Sequence, residues 1–410
     1  MSFRKFLLPL LGAFSTTLSA HASQPAAPPA DTAAVATAVA SFGLSLMETT
    51  KADENAVFSP HSIFEALAMT SGGARKDTLA AMHETLGVTL PEARFHSAVA
   101  DLREGLMTRT KGEASLTVAN RLFAHSALDL LPDFVTLTKD RYGAEVGRVD
   151  FTGDREGARK LINRWIADNT NQRIKELILK PDLGPDTRLV LANAIWFKAD
   201  WRQPFKAEST APAPFVAHGK TVITVRTMNQ VMTARHATSA GAAWLELPYG
   251  ASGNLAMVFA LPDAVDGLAA LRKALTPAAL AKAMGALASE RVNVHLPKFK
   301  LETRLQLADA LTRMGMGVAF GMGADFTGIS NPPNPADQLR ITKVIHQAFL
   351  ELDEKGTEAA AATAVVMGRK GMAPPEAPPI EFRADHPFLF FLRDTVTGEV
   401  LFMGQLVDPR

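Results

Sequence analysis

Apolar residues recur at a helical period in the first part of the chain. Between residues 35 and 47 they are three or four residues apart, which predicts a helix with one buried face. Its apolar positions are Val35, Val39, Phe42 and Leu46. Ser59-Pro60 predicts the start of a second helix, because serine is a good helix cap and proline fits the first helical position. The segment 159–179 predicts a third helix.

Runs of strand-forming residues dominate the rest of the chain. The run Arg188–Lys198 is apolar on both faces, which predicts a central strand covered on both sides. Thr397-Gly398 predicts a hairpin turn between the last two runs. Helices come mainly first, without regular alternation with strands, so we predict an α+β fold with large antiparallel sheets. The other predicted strands are Leu116–Ala124, Thr221–Arg226, Ala243–Pro248, Leu255–Leu261, Val292–Leu296, Pro387–Arg393 and Val400–Leu406.

The first 22 residues have the three parts of a secretory signal: a basic start, an apolar run over residues 6–14, and small residues before a cleavage point. We expect cleavage after Ala22 and a location in the periplasm or outside the cell. The apolar run is too short to cross a bilayer and contains Pro9, so no membrane anchor is expected. Residues 23–34, rich in proline and alanine, are expected to form a flexible tail.

Composition narrows the function classes. The formal net charge is +1, which gives no electrostatic basis for binding nucleic acid or an anionic membrane. With 47% hydrophobic residues the chain can bury a large core. It contains no cysteine, and His83-Glu84 is not followed by a second histidine at helical spacing, so no disulfide, metal or cofactor is expected.

Five residues invite interpretation as a catalytic site: Ser59, His61, Ser62, Asn193 and His346. A serine hydrolase that uses Ser62 and His346 is one hypothesis. The chain has no G-x-S-x-G nucleophile elbow, however, and these residues fall at a helix cap or in buried strands. We therefore favour a structural hydrogen-bond cluster over an enzyme.

The segment 356–367 is rich in alanine, which by propensity alone favours a helix. At a period of two, however, one face is small or apolar throughout, so the segment could also enter a crowded sheet as a strand. That face carries Thr357, Ala359, Ala361, Thr363, Val365 and Met367, and the opposite face carries Glu358, Ala360, Ala362, Ala364 and Val366. The segment leads into Gly368-Arg369-Lys370-Gly371, a dibasic site that a trypsin-like protease would favour.

These features together resemble the serpin family over about Val35 to Pro409. The most specific match is 354–363, which is similar to the hinge of inhibitory members. Other matching segments are Val57–Ile63, Val118–Phe123, Leu191–Lys198, Leu296–Lys298, Ala324–Ile329, His386–Phe388 and Phe402–Gly404.

The resemblance implies a single domain over 35–410. It has a helical N-terminal half, three β-sheets with a large central one, and an exposed reactive-centre loop at about 354–380. The implied hinge comprises Glu354, Gly356, Thr357, Glu358, Ala359, Ala360, Ala361, Ala362 and Thr363. The implied shutter, beneath the point where the central sheet opens, comprises Ser59, Ser62, Asn193 and His346. The implied breach, where insertion begins, comprises Lys298, Trp201 and Glu354.

The resemblance also implies a function. The family's spacing from the hinge glycine Gly356 predicts cleavage at Lys370-Gly371, and a shift of one residue would move it to Arg369-Lys370. We expect a monomeric suicide inhibitor that traps a trypsin-like serine protease as a covalent 1:1 complex while its loop enters the central sheet. A non-inhibitory chaperone or carrier is the alternative within the family, and charged or bulky inward hinge residues would favour it.

Overall fold

A computed structural model describes residues 29–334, 338–357 and 377–410. The predicted signal peptide, the hinge residues 358–363 and the bond Lys370-Gly371 lie outside the described residues, as does Arg369.

Six of the nine helices of the described residues precede the strand Leu189–Asp200, and most strands follow it, as predicted. The start of the second helix is also confirmed: the Ser59 hydroxyl accepts a hydrogen bond from the Ser62 N–H at 3.0 Å, and Pro60 is the first helical residue. The helices are α1 (Ala30–Glu48), α2 (Pro60–Ser71), α3 (Lys76–Leu86), α4 (Glu92–Thr110), α5 (Pro132–Tyr142), α6 (Arg155–Asp168), α7 (Leu268–Ala274), α8 (Pro277–Ala286) and α9 (Ala308–Leu311).

The first helix begins earlier than the sequence suggested, so residues 30–34 of the expected tail are helical. Alanine is the best helix former, and the carboxylate of Asp31 pairs with Arg94 of α4 at 2.6 Å. In the described residues α1 alone is long and apolar enough to cross a membrane by length and composition. Half of its most apolar stretch is buried inside the protein.

The helix predicted over 159–179 is α6, which ends eleven residues earlier, at Asp168. After Asp168 the chain turns at Asn171 and Gln172, whose φ angles of 48° and 61° are not helical. The side-chain carbonyl of Asn163 then accepts hydrogen bonds from the N–H groups of 177 and 178, at 3.0 and 2.8 Å. The end of the predicted helix is therefore a loop that folds back onto α6.

The central sheet has six strands in the order β10-β11-β12-β4-β2-β3. Strand β4 is antiparallel to β2 and parallel to β11, and β11 is antiparallel to β10. The short strand β12 lies between β4 and β11 at one end only. The strands are β2 (Ala114–His125), β3 (Gly147–Val149), β4 (Leu189–Asp200), β10 (Phe299–Gln306), β11 (Lys343–Leu352) and β12 (Gly356–Thr357).

The remaining strands form one network of nine, in the order β1-β15-β14-β8-β7-β6-β9-β13, with β5 also paired to β6. Two of the three predicted sheets are therefore joined in one hydrogen-bonded network, because β6 pairs with β5 at its start, with β9 along its middle and with β7 at its end. The strands are β1 (Ala56–Phe58), β5 (Ala211–Ala217), β6 (Thr221–Ser239), β7 (Ala242–Tyr249), β8 (Leu255–Pro262), β9 (Ala288–Pro297), β13 (Ile380–Arg383), β14 (Phe388–Asp394) and β15 (Val400–Leu406).

Strand β4 is covered on both faces, as its apolar sequence predicted. On one face Val190, Ala192 and Ala194 pack under α6. On the other, Leu191 joins the core beneath the helices, and Ile195 joins the core between the two sheets. A polar residue, Asn193, lies between these two cores and is 1% exposed. The middle of β4 therefore needs hydrogen-bond partners within the protein.

Candidate functional site: hinge strand, breach and shutter

The first hinge residues already lie in the central sheet. Thr357 pairs with Ala199 of β4 on one side and with Leu352 of β11 on the other, and Gly356 pairs with Asp200. Below this point β4 and β11 pair directly with each other. Strand β12 therefore occupies the top of a seam that is closed along the rest of its length.

Gly356 is required by this close approach. Its φ is 154°, and a Cβ built there would lie 2.1 Å from the carbonyl oxygen of Ala199. Only glycine lets the two backbones come so near.

Three backbone and side-chain hydrogen bonds hold the turn before β12. The indole N–H of Trp201 donates to the carbonyl of Asp353 at 3.0 Å, and its backbone N–H donates to Lys355 at 2.7 Å. The N–H of Phe205 donates to the carbonyl of Glu354 at 2.7 Å. The chain that leaves β4 therefore fixes the start of the hinge.

The side chain of Thr357 points into the protein. It is 0% exposed, and its hydroxyl lies 2.7 Å from the phenol oxygen of Tyr249. The Tyr249 ring stacks on Trp201 with centroids 4.2 Å apart, and burial raises the pKa of Tyr249 far above its usual range. The phenol is therefore neutral and hydrogen-bonds the hinge from below.

The predicted pair Lys298 and Glu354 is present at the same place. The ammonium of Lys298 lies 2.7 Å from the Glu354 carboxylate, with side chains 37% and 12% exposed. Burial alone would raise the pKa of Glu354, but the hydrogen bond and the charge of Lys298 hold it below its ordinary value. The structure thus brings the three predicted breach residues together around the turn before β12.

The four predicted shutter residues form one buried cluster where α2 meets the sheet. The backbone N–H of Ser59 donates to Nε2 of His346 at 3.1 Å, so the ring proton is on Nδ1, which donates to the side-chain oxygen of Asn193. Burial lowers the pKa of His346 to about 3, so this ring is neutral. The Ser59 hydroxyl donates to the carbonyl of Leu401 at 2.6 Å and ties α2 to β15.

Sequence reasoning missed Asn120, which completes the cluster from β2. It pairs in register with Asn193, and their side chains are hydrogen-bonded. The Ser62 hydroxyl contacts both amides, donating to Asn120 at 3.2 Å and accepting from Asn193 at 2.6 Å. A signal was present: the predicted strands Leu116–Ala124 and Arg188–Lys198 each carry one asparagine, and a buried amide needs a partner.

A second buried polar group adjoins the cluster, and of its members sequence reasoning named only His61. Nδ1 of His61 lies 2.6 Å from the Glu399 carboxylate. Burial alone would lower the pKa of His61, but Glu399 raises it to about 9. Glu65 accepts from Asn120 at 2.9 Å and lies 3.5 Å from Arg103, while its burial raises the pKa of Glu65. Three buried titratable side chains, those of His61, Glu65 and Glu399, thus lie beside the neutral cluster.

This geometry does not favour a hydrolase. The lone pair of His346 Nε2 faces the backbone N–H of Ser59, so it is not directed at a hydroxyl. Ser62 Oγ bonds two amides instead of an imidazole. The cluster therefore supplies no base to activate its serines.

Residues 37–409 match the model of the family described as Serpin (serine protease inhibitor). The leukocyte elastase inhibitor of Sus scrofa is 38% identical over 366 residues, which covers 87% of this chain and 93% of that protein. Iripin-3 of Ixodes ricinus is 37% identical over 358 residues, with 86% and 88% covered. The crystal structure of uncleaved ovalbumin matches with a TM-score of 0.80 at 30% identity, covering 92% of this chain and 100% of that chain.

The fold thus defines a class of protein in which a helical half packs on a large mixed sheet with a partly open seam. The chain belongs to the serpin family. The resemblance drawn from the sequence motifs is confirmed, and so is the α+β fold with its large central sheet.

Proposed function

We propose that this protein is a suicide inhibitor of trypsin-like serine proteases. The protease cleaves Lys370-Gly371, and the segment 357–367 then enters the central sheet between β4 and β11. The observation that carries this proposal is the position of β12, because Thr357 already pairs with both strands and Gly356 pairs with β4.

The register of β12 supports insertion over the full length of β4. Extended by one residue per step, it places Ala361 opposite Ile195 and Thr363 opposite Asn193. The same extension along β11 places Thr363 opposite His346. Met367, the last residue before Gly368, then reaches Leu189 at the start of β4. The segment and the slot therefore have the same length.

The orientation of Thr357 supports the inward face predicted from the sequence. Its side chain contacts Tyr249 in the core between the sheets. Side chains alternate along a strand, so Ala359, Ala361 and Thr363 would face the same way. None of these is charged or large, which favours an inhibitor over a non-inhibitory carrier.

The chemistry follows that of an ordinary protease substrate. The catalytic serine of the protease attacks the carbonyl carbon of Lys370, the bond to nitrogen of Gly371 breaks, and the proton from the serine passes to the leaving amine. Insertion then carries the acylated protease across the molecule. If insertion displaces even one oxyanion donor of the protease, deacylation slows by about 10²- to 10³-fold.

Specificity is proposed from this chain's own residues, because Arg369 and Lys370 both suit a trypsin-like enzyme. The relative from Sus scrofa is named as a leukocyte elastase inhibitor, which supports inhibition but not this specificity. We further propose that the protein acts as a monomer after export, with the signal peptide removed after Ala22.

The test compares glutamate on the two faces of the inserting segment, because a new arginine would itself be a trypsin site. Ala361→Glu places a charge on the inward face, and Ala360→Glu places the same charge on the outward face. Thr357 is less suitable, because it is already packed against Tyr249 in the uncleaved protein. We expect trypsin to cut both variants at the basic pair, and only Ala360→Glu to form an SDS-stable complex at the wild-type level. Equal yields from the two variants would refute insertion.

Trypsin, chymotrypsin and elastase should each be tested, with the mass of the released carboxy-terminal peptide measured. A peptide that begins at Gly371, released by trypsin, would support the proposed bond. A peptide that begins at Lys370 would move the bond to Arg369, and a stable complex only with elastase or chymotrypsin would overturn the proposed specificity.

A further inference from the structure

A cavity of about 450 Å³ lies behind the breach, between the chain that leaves β4 and strands β6 and β7. Its volume is in the range of small-molecule sites, about 300 to 1,000 Å³. The apolar part of its wall comes from buried side chains, namely Trp201, Met232, Leu247 and Ala256.

The polar part of the wall is rich in arginine. Arg235 and Glu246 line the cavity and pair with each other at 2.7 Å. The second oxygen of Glu246 is taken by Arg393 at 2.6 Å, so one carboxylate is shared by two guanidinium groups. Glu246 is 3% exposed and Arg393 is 9% exposed, so this pair is part of the interior.

A further arginine adds charge at the rim. The Arg202 guanidinium donates to the carbonyls of Gly250 and Ala251, at 3.3 and 2.7 Å, and neither carbonyl neutralises it. Arg235 likewise donates one N–H to the carbonyl of Leu287 at 2.9 Å. Each guanidinium has five N–H groups, so both retain donors beyond those bonds.

We infer that this cavity binds a small amphipathic anion, and that the bound anion stabilises the hinge strand. An apolar body would pack on Trp201 and Leu247, while a carboxylate or sulfonate would bind Arg235 and Arg202. The combination of apolar walls with a few convergent polar groups is typical of ligand sites. The excess of arginine over glutamate selects a negative head group.

The connection to the hinge runs through the cavity wall itself. Trp201 faces the cavity and also donates hydrogen bonds to Asp353 and Lys355. Pro248 lines the cavity, and the next residue, Tyr249, bonds Thr357. A ligand that packs on this wall therefore favours the conformation in which β12 is held.

The first experiment compares two fluorescent probes that differ by one anionic group. The anion is 8-anilinonaphthalene-1-sulfonate, and N-phenyl-1-naphthylamine has the same aromatic body without the sulfonate. We expect saturable 1:1 binding of the anion, at least about tenfold tighter than the neutral probe, as one charge-assisted interaction provides. Equal affinity for the two probes would overturn the proposed head-group contact.

Variants then locate the binding site. Ser289 lines the cavity from β9 and is exposed, so Ser289→Phe should block it without disturbing the core. Ala288→Phe is the matched control, since the neighbouring residue of a strand faces the other way. We expect about a tenfold loss of affinity in Ser289→Phe and none in Ala288→Phe. Unchanged binding in Ser289→Phe would place the probe elsewhere and refute the site.

Arginine variants test the charge. Arg202→Gln and Arg235→Gln should each weaken binding of the sulfonate about tenfold and leave the neutral probe unaffected. Removing Arg235 also removes an ion-pair partner of the buried Glu246 and could disturb the fold. Arg202 is at the surface, so Arg202→Gln tests the charge without that effect. Loss of both probes together would contradict the assigned role of the guanidinium groups.

Hydrogen exchange tests the connection to the hinge without any protease, and so independently of the inhibitor proposal. With the sulfonate bound, amide exchange over residues 353–357 should slow several-fold in the wild type and stay unchanged in Ser289→Phe. If exchange over 353–357 is the same with and without bound probe, the inferred stabilisation of the hinge is wrong.

Discussion

Gly356 and Thr357 show how two residues determine where β12 enters the central sheet. The first permits the backbone of β12 to approach β4, and the second fills the space above Tyr249 with a small polar side chain. A β-carbon at 356 has no room unless the strand moves, since the Ala199 carbonyl is part of a buried strand.

We predict that Gly356→Ala releases β12 from the seam and lowers the free energy of unfolding by about 1–3 kcal/mol, the usual effect of a strained backbone position. Urea denaturation followed by tryptophan fluorescence measures the change. Gly285→Ala is the control, because Gly285 is in α8 and a β-carbon there meets no atom within 4 Å. Equal stability of the two variants would contradict the role given to Gly356.

Residue types alone predicted part of the site. Ser59 and Pro60 predicted the start of a helix, and the family motifs predicted roles for Asn193 and His346. The structure brings Ser59, Asn193 and His346 together. Asn120 and Glu399 were not found, because their partners are distant in sequence and the sequence does not show which strands are neighbours. The register of β2 on β4 is what places Asn120 opposite Asn193.

At the scale of elements, the seam between β4 and β11 is the feature that function should depend on. Below β12 these strands pair in parallel from Val190 and Lys343 to Trp196 and Phe349. An inserting strand must separate them, whereas the antiparallel pair of β4 and β2 would remain intact.

We predict that a disulfide across the seam abolishes inhibition. Ala194→Cys with Gln347→Cys would link paired residues of β4 and β11, and the chain has no other cysteine. Neighbouring strands are about 4.8 Å apart, within reach of a disulfide. The oxidised variant should be cut by trypsin as a substrate and form no SDS-stable complex, and dithiothreitol should restore the complex.

The matched control links β4 to its other neighbour. Ala119→Cys with Ala194→Cys joins β2 and β4, which insertion leaves together. Complex formation by the oxidised control should be like that of the wild type. Loss of complex in both oxidised variants, or in neither, would contradict opening at the β4 and β11 seam.

Element boundaries were predictable where the hydrophobic pattern was complete. The strand predicted over Val400–Leu406 is β15 to the residue. The strand predicted over Thr221–Arg226 continues to Ser239, because pairing with β9 and β7 extends it through polar sequence. The predicted end of α6 was wrong because Asn163 hydrogen-bonds the segment that follows the helix and holds it in a loop. The spacing of apolar residues does not show such a contact.

For the molecule as a whole, buried histidines predict a stability maximum near neutral pH. Glu399 raises the pKa of His61 to about 9, above the ordinary 6.5, so the folded protein keeps this proton longer than the unfolded chain. The stabilisation that protonated His61 contributes is complete below pH 6.5 and is lost as the pH rises to about 9. Burial lowers the pKa of His346 to about 3 and of His96 to about 4, so their contribution is lost as the pH falls below 6.5.

We predict that His61→Gln removes the alkaline decline, which amounts to about 1.4 kcal/mol per pH unit for one proton, and leaves the acidic decline in place. Urea denaturation from pH 4 to 9 measures both the acidic and the alkaline decline of stability in one variant. The slope is the readout, because loss of His61 also leaves Glu399 unpaired and lowers stability at every pH. An unchanged slope above pH 6.5 would show that another group controls it.

The direction of β11 relative to β4 has a consequence for the whole molecule. Antiparallel ladders are slightly more stable per residue than parallel ones, and a strand that continues β12 would exchange one parallel ladder for two antiparallel ladders. On this proposal the free energy of the rearrangement comes from the new strand pairing in the sheet, and the protease only cleaves the loop that prevents it. Any single cut in the loop, even by an enzyme that escapes capture, would therefore use up the inhibitor permanently.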